Sequence, residues 1–494
     1  MKWRPTGLAV FGGVCAVLCG CSVGPTYKRP DSAPPAQWQE SAGGAANASG
    51  AANSDGAASS GGAANSGGAA NGGRGAASVW PAADWWRGFG SATLDELILE
   101  AERNNDDLAG AIARVQEADA QVRIVGGALL PSLDLGATAT RQRTHAPGSG
   151  ARLSNDFNPE LSASYELDFW GKIRAQRGAA RAAAAASRYD QQTIALTVIS
   201  SVATTYFQAL ELRDRIQVAQ QNLENSRKIL SGFRLEQSAG IATGLDVAQQ
   251  ETTVALLNAA LPPLQQQYRQ TVHALAVLVG RTPESFDVET GTLTNLSSPS
   301  VVEGLPSQLL ARRPDVAEAE QQLIAANADI TVARAALFPS IQLTAGGGYE
   351  SSALTSLVSP ANRVYALTAG LTQPIFHGGA LRGQVAFSKA RYTELLAAYH
   401  KTVITAFSNT EDALVAAQQT AEQQKRQQDA VTTARRAFEF AQTQMSAGIV
   451  NILTVLNTEN ALFTAQDQLV QVNYLRLQAL VDLFTALGGG WHQG

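Results

Sequence analysis

The sequence predicts an α+β fold written twice, two copies of one unit that each supply two β-strands and a hairpin of very long helices. Three observations carry that expectation. Ala128-Leu129-Leu130-Pro131-Ser132-Leu133 recurs 208 positions later as Ala336-Leu337-Phe338-Pro339-Ser340-Ile341, and Ser238-Ala239-Gly240-Ile241 recurs as Ser446-Ala447-Gly448-Ile449 at the same spacing. Leu245 and Val247 match Leu453 and Val455 in step. Matched sets so far apart, held in one register, indicate a duplicated fold rather than chance. In addition, four stretches alternate apolar and polar residues with a period of two, and two proline-free stretches are rich in helix formers.

The chain opens with Lys2 and Arg4 ahead of an apolar segment, Leu8 to Leu18. That segment is too short to span a bilayer as a helix and reads as an export signal. Leu18-Cys19-Gly20-Cys21 resembles the lipobox of bacterial lipoproteins. The resemblance implies cleavage before Cys21 and acylation of its thiol and amine; an ordinary signal peptide that happens to hold cysteines is the alternative. Ser22 stands where an Asp favours inner-membrane retention in that pattern, and is compatible with transfer outward.

All three cysteines (Cys15, Cys19, Cys21) lie in this leader, so the mature chain can build no disulfide framework and no thiolate metal cluster. Loss of Lys2 and Arg4 takes the 37 basic residues to 35 against 42 acidic ones, a formal charge of −7. That balance lacks the basic field of a nucleic-acid binder. Beyond the leader no run of ~18 apolar residues is evident, so a membrane crossing falls to strands.

The expected organisation is a signal peptide over 1–20, a lipidated N-terminus and linker over 21–79, a first repeat over 80–285 and a second over 286–494. Residues 41 to 78 are almost entirely Gly, Ala, Ser and Asn. Nothing there offsets the entropy of ordering, which makes the segment a flexible tether between lipid and body, or a low-complexity expansion with no role.

In each repeat a helical segment runs into the shared Pro-Ser, two strands follow, and a long helical stretch begins. Leu161, Ala163, Tyr165, Leu167 and Phe169 alternate with Ser162, Ser164, Glu166 and Asp168, and Leu133, Leu135, Ala137 and Ala139 continue the pattern. The second pair runs through Ile341, Leu343, Ala345, Gly347 and Tyr349, and through Tyr365, Leu367, Ala369 and Leu371. One such strand would fit the edge of a soluble sandwich; four in matched pairs on a secreted lipoprotein favour the membrane.

Long helices are predicted from about Gly171 to Ser238 and from about Gly379 to Ser446, with a glycine after each where a helix can end left-handed. Returning helices start near Leu245 and Leu453. Their small, scattered apolar residues, as in Ala179 to Ala186 and Ala413 to Ala417, suit helices standing in a wall better than a solid bundle.

Four strands cannot close a membrane barrel, and an open edge in lipid leaves backbone groups unbonded. The chain is therefore expected to oligomerise: two copies give eight strands with a filled interior, three give twelve and a lumen. The body over 80–494 resembles the outer-membrane factor family of efflux channels. The residues that carry the resemblance are Asp84-Trp85-Trp86-Arg87-Gly88-Phe89, Asn104-Asn105-Asp106-Asp107-Leu108, the stretch from Leu305 to Val316 that holds Arg312-Arg313-Pro314-Asp315, Gln373-Pro374-Ile375-Phe376, and Ala486-Leu487-Gly488-Gly489. The resemblance implies an α+β membrane channel: a homotrimer with a twelve-stranded barrel, continued by a periplasmic α-helical barrel and girdled by an equatorial collar. It implies passive export of small molecules such as antibiotics, in a tripartite assembly with a periplasmic adaptor and an inner-membrane transporter. The expected location is the cell outer membrane, lipid-anchored through Cys21 and extending into the periplasm.

Arg312-Pro314-Asp315 reads as a helix start, with Asp in the first turn. Trp85 and Trp86 precede the strands and read as packing residues. For Phe169, Trp170 and Phe376, at strand-to-helix junctions, membrane anchoring and collar packing both stay open. No metalloprotease helix, phosphate loop or nucleophile elbow is present, and the five histidines lack metal-ligand spacing. No enzyme activity, cofactor, metal or nucleic-acid partner is expected.

The chemistry of a duct is its gate, expected where the hairpins turn back near Gly240 and Gly448. Asp246 and Gln249 follow the first turn; Leu453, Thr454 and Asn457 follow the second. Members of the resembled family carry aspartate at positions matching Thr454 or Asn457; here the carboxylate is Asp246, with Thr454 as its repeat mate. A cation-attracting ring and an ordinary first-turn helix acid are both readings of Asp246. A protein-secretion duct of the same fold and a non-conducting periplasmic spacer are the competing functions.

Overall fold

The structure, a computed structural model, describes residues 23–31, 34–35, 37–39, 81–146, 149–288, 291–301, 304 and 306–491. Cys21 and the 41–78 tether lie outside them. The chain forms two compact units: one comprises Ala113–Tyr189, Ala317–Lys401 and the described residues up to Asp31, and the other comprises the described residues within Ser32–Ile112, Asp190–Val316 and Thr402–Gly494.

In chain order the elements are α1 (Ala92–Asn104), α2 (Asp106–Gly127), β1 (Ser132–Ala146), β2 (Ser149–Glu166), α3 (Lys172–Ser238), α4 (Gly244–Leu278), α5 (Pro306–Leu309), α6 (Pro314–Ala335), β3 (Ser340–Tyr349), β4 (Arg363–Thr372), α7 (Ala380–Ser446) and α8 (Ile452–Ala486). Both bounds of α6, α7 and α8 fall 208 residues after those of α2, α3 and α4. The repeat read from short motifs therefore governs whole elements. The 67 residues of α3 and of α7 extend each helix about 100 Å at about 1.5 Å per residue.

The first unit holds one antiparallel sheet in the order β1-β2-β3-β4. Its register sets Leu133 opposite Ala163, Ala163 opposite Ala345 and Ala345 opposite Leu367, so one face is apolar. The other carries Asp134, Ser162, Ser164, Gln342, Thr344 and Thr368, where Gln342 Nε2 donates to Ser164 Oγ at 2.6 Å. The apolar face is open: Leu135 and Leu367 are each 79% exposed.

The expected strand Leu161–Phe169 is longer and shifted, running Ser149–Glu166. The sequence reading missed its first half because polar residues dominate it and Pro159 resembles a boundary. Pro159 is tolerated because it falls in a gap of the β2–β3 pairing, between Glu160 with Gly348 and the bridge of Phe157 with Ser351, where no ladder bond needs its missing N–H. In the same unit the N-terminal residues lie along α6: Asn327 Nδ2 donates to the Pro25 carbonyl at 3.0 Å, and Arg29 Nη2 meets Glu320 Oε2 at 3.2 Å.

The second unit is built on an aromatic core. Trp85, Trp86 and Phe89, on a 3-10 turn spanning Trp85–Phe89, pack with Val202, Tyr206 and Phe207 of α3, Leu275 of α4 and Phe484 of α8. The Trp85 ring stacks on Phe484 at 4.9 Å, which is the packing role its sequence position suggests. Phe286, Val288 and Leu293 close the same core. The Asn-Asn-Asp stretch acts as a joint: Asn105 Oδ1 accepts the Leu108 N–H at 3.0 Å while its Nδ2 donates to the Leu278 carbonyl at 2.9 Å. Arg313 meets Asp315 in two contacts, Nε to Oδ1 at 3.0 Å and Nη2 to Oδ2 at 2.7 Å, and donates to the Ala486 carbonyl at 3.1 Å.

One expectation needs correction. Helix α3 does contain an 18-residue window of mean hydropathy 1.3, long and apolar enough by composition to cross a membrane. Threonines and serines interrupt the uncharged run over 193–210, so it does not look like a continuous apolar span. Its Val198, Val202, Phe207 and Leu210 are buried in the core of the second unit.

Candidate functional site at the helical turns

Both helical turns lie in the second unit. Each long helix ends in a Schellman motif: Gly240 and Gly448 adopt φ of 74° and 71°, their N–H groups bond the carbonyls of Gln237 and Met445, and Ile241 and Ile449 bond back to Glu236 and Gln444. Only a residue that accepts positive φ closes the helix this way, and that is the work of the shared Ala-Gly-Ile.

The returning helices are capped differently. Thr243 and Asp246 form a reciprocal capping box, in which Asp246 Oδ2 accepts from the Thr243 N–H and from Thr243 Oγ1, both at 2.7 Å. In the second turn Asn451 Oδ1 accepts the Thr454 N–H at 3.3 Å and Thr454 Oγ1 at 3.2 Å. Asp246 therefore does hold a first-turn helix role, and its carboxylate keeps one oxygen outside that box. Asp246 and Gln249 are half-buried on α4; Leu453, Thr454 and Asn457 are exposed on α8.

Behind these residues Leu230 and Phe233 of α3, Val247 of α4, and Ile452 and Leu456 of α8 form one small core that Met445 joins. This core brings the two hairpin turns together and fixes the residues beside it. Ile241, Leu245, Ile449 and Leu453 remain exposed around it, an apolar quartet related by the repeat.

Sequence reasoning missed a buried carboxyl one level deeper. Glu459 of α8 is 0% exposed, as are Gln250 of α4 and Ser226 of α3. Gln250 Nε2 donates to Ser226 Oγ at 2.7 Å and to the Ser226 carbonyl at 3.1 Å. Neither Glu459 oxygen reaches hydrogen-bonding geometry with a neighbour. Burial pushes this carboxyl up to about 7, against the pull of Gln250 and Ser226. Comparing the repeats would have found it. Its mate Glu251 is exposed and paired with Arg234 at 2.7 Å, whereas the mate of Arg234 is Gln442, so the second copy has lost the cation.

At the strand-to-helix junctions of the first unit, Trp170 stacks on Phe338 at 4.7 Å and donates Nε1 to the Pro339 carbonyl at 2.8 Å. Phe376 is 85% exposed.

Comparison with known proteins agrees with this geometry. Residues 97–281 and 305–489 each match the outer membrane efflux protein family. The chain is 42% identical over 423 residues to the pyoverdine export outer membrane protein OpmQ of Pseudomonas putida, covering 84% of this chain and 90% of that protein. It is 30% identical over 491 residues to the cation efflux system protein CusC of Escherichia coli, covering 97% and 98%. The solved CmeC outer membrane channel of Campylobacter jejuni matches with a TM-score of 0.80 at 25% identity over 96% of each chain. The outer-membrane channel OprN matches with a TM-score of 0.83 at 25% identity, over 95% of this chain and 100% of that one. The duplicated α+β channel fold, the outer-membrane location and the efflux function read from the sequence are those of these relatives. The chain belongs to the outer membrane efflux protein family.

Proposed function

We propose that three copies close their sheets into one twelve-stranded barrel in the outer membrane and arrange their helices as a duct through the periplasm. Small molecules leave through it passively. The observation that carries this reading is the four-stranded sheet, with an open apolar face and β1 and β4 as its two outer strands. Unpaired strand edges in lipid are too costly to persist, and three sheets give a barrel wide enough for a lumen.

The energy comes from an inner-membrane transporter reached through a periplasmic adaptor. The exposed quartet Ile241, Leu245, Ile449 and Leu453 offers that adaptor an apolar docking tip. Asp246, Gln249, Leu453, Thr454 and Asn457 form the constriction at that tip. Lipid on Cys21 adds an anchor, with the barrel holding the membrane independently. Relatives whose names specify pyoverdine and cations favour small solutes over proteins as cargo.

Native mass spectrometry of the detergent-extracted protein tests the reading. A trimer that conducts in planar bilayers and carries labelled palmitate, lost in Cys21→Ala, is the expected result. A stable folded monomer would sink the architecture.

A further inference from the structure

The outward, apolar face of the sheet ends in cations. In register with Leu133, β1 places Leu135, Ala137, Ala139, Arg141 and Arg143 on that face. On β4 the same face carries Leu371, Ala369, Leu367, Tyr365 and Arg363. The strand acids Asp134, Asp156, Glu160 and Glu166 all fall on the opposite face. The outward face therefore carries three arginines and no acid, while the opposite face holds every strand acid together with Arg152, in a chain that is net acidic at −5. Arg141, Arg143 and Arg363 are exposed and, among the described residues, form no ion pair.

Height matters as much as face. Arg141 and Arg143 lie eight and ten residues beyond Leu133, and Arg363 lies eight before Leu371. At about 3.4 Å per residue and a tilt of about 40°, they stand roughly 21–26 Å above the start of the apolar band. The apolar band of an outer-membrane barrel is about 25 Å tall, so the arginines reach its far boundary, with Tyr365 one step inside. Helices α2, α3, α6 and α7 all join the strands at the opposite end. With those helices in the periplasm, the arginines meet the outer leaflet.

We propose that Arg141, Arg143 and Arg363 dock the phosphates of a phosphorylated, multiply acylated glycolipid of the outer leaflet, its acyl chains lying along the Leu and Ala face beneath. A guanidinium matches phosphate with two parallel N–H groups, and in thinly hydrated headgroup surroundings that pairing is stronger than in water. The proposal rests on the barrel reading above.

Native mass spectrometry of the purified trimer, titrated with lipid A, dephosphorylated lipid A, phosphatidylglycerol or inorganic phosphate, tests it. Lipid A should bind in preference to the other three. Combining Arg141→Gln, Arg143→Gln and Arg363→Gln should weaken it on the order of 100-fold, about a kilocalorie per arginine. The matching triple Lys variant keeps the charge but loses the paired N–H geometry, so it should bind more weakly than wild type and more tightly than the Gln variant, and with the dephosphorylated lipid it decides the matter if the Gln variant does not fold. Equal binding by the Gln variant, equal binding of dephosphorylated lipid A, or displacement of lipid A by inorganic phosphate would overturn the site. A monomeric spectrum would instead break the barrel reading, so the two failures are distinguishable.

Discussion

Arg215 holds Asp467 by a two-point ion pair, Nε to Oδ1 at 2.7 Å and Nη2 to Oδ2 at 3.2 Å, while its Nη1 meets Glu211 Oε1 at 3.2 Å. One guanidinium on α3 thus serves two carboxylates and ties α3 to α8. The clamp exists once, since the repeat mates of Arg215, Asp467 and Glu211 are Gln423, Ala259 and Gln419. Burial pushes the Glu211 carboxyl up and Arg215 pulls it back.

Arg215→Met should therefore cost more than Asp467→Asn. It leaves Glu211, nearly buried, without its counter-ion, whereas the second change leaves Arg215 paired with Glu211. With the guanidinium side chain 22% exposed, solvent screening holds the loss to about 2 kcal/mol for Arg215→Met and to about 1 kcal/mol or less for Asp467→Asn. Thermal dissociation of the purified protein, followed across a double-mutant cycle, checks both. Equal losses would mean that the clamp is a surface ion pair and nothing more.

Glu459 makes stability depend on pH in the unusual direction for an acid. Its folded value of about 7 lies above the ordinary glutamate value of 4.5, so between those values the folded state holds the proton more tightly than the unfolded one. Stability contributed by that proton is present at low pH and lost as pH rises towards 7. Glu459→Gln keeps the shape and removes the ionisation. It should leave stability unchanged near pH 4 and raise it by up to about 3 kcal/mol at pH 8, roughly 1.4 kcal/mol per pH unit across the window. Melting curves of both proteins at the two pH values would show the gap; parallel curves would mean that Glu459 ionises freely.

Two glycines with similar backbone angles should respond very differently to alanine. Gly448 has φ of 71° and nothing within 4 Å of an added Cβ, so Gly448→Ala meets only the left-handed penalty, about 1–2 kcal/mol. Gly488 has φ of 89°, and its Cβ would fall 2.0 Å from the Arg312 carbonyl oxygen, part of the backbone. Gly488→Ala should therefore prevent the closing Leu-Gly-Gly from docking, seen as loss of folded protein on expression. A well-folded Gly488→Ala protein would show that the C-terminal segment can move away from Arg312.

These residues also show what the sequence made legible. The shared Ala-Gly-Ile located both turns because backbone geometry leaves only glycine there, and the 208-residue offset carried the boundaries of whole helices. Pro314 and Asp315 were readable as a helix start, but the bond from Arg313 to the Ala486 carbonyl, from the far end of the chain, was not. Glu459 and the Arg215 clamp stayed hidden for a related reason. Each depends on which face of a long helix meets which neighbour, and the small residues of these helices leave no broad stripe to identify that face. The first half of β2 was lost because a strand between lipid and lumen needs only one apolar face, and Pro159 falls within it.

The gate is the sharpest test. Asp246 holds Thr243 through one oxygen, and the exposed Leu453, Thr454 and Asn457 stand one turn past the second glycine. Three copies of that carboxylate in a narrow, partly desolvated ring would focus a negative potential on the axis. Asp246→Asn removes the charge while leaving an oxygen for the cap, so it should lower cation selectivity in planar bilayers with the trimer intact. Asp246→Ala should add a capping loss of about 1 kcal/mol to the same change in selectivity. Leu453→Ala narrows the side chain without touching charge, and should raise conductance several-fold while selectivity holds. Separate responses, charge affecting selectivity and bulk affecting conductance, are what a constriction formed by both residues requires. If an intact trimer shows neither change, the constriction lies at another level of the duct and Asp246 serves the helix alone.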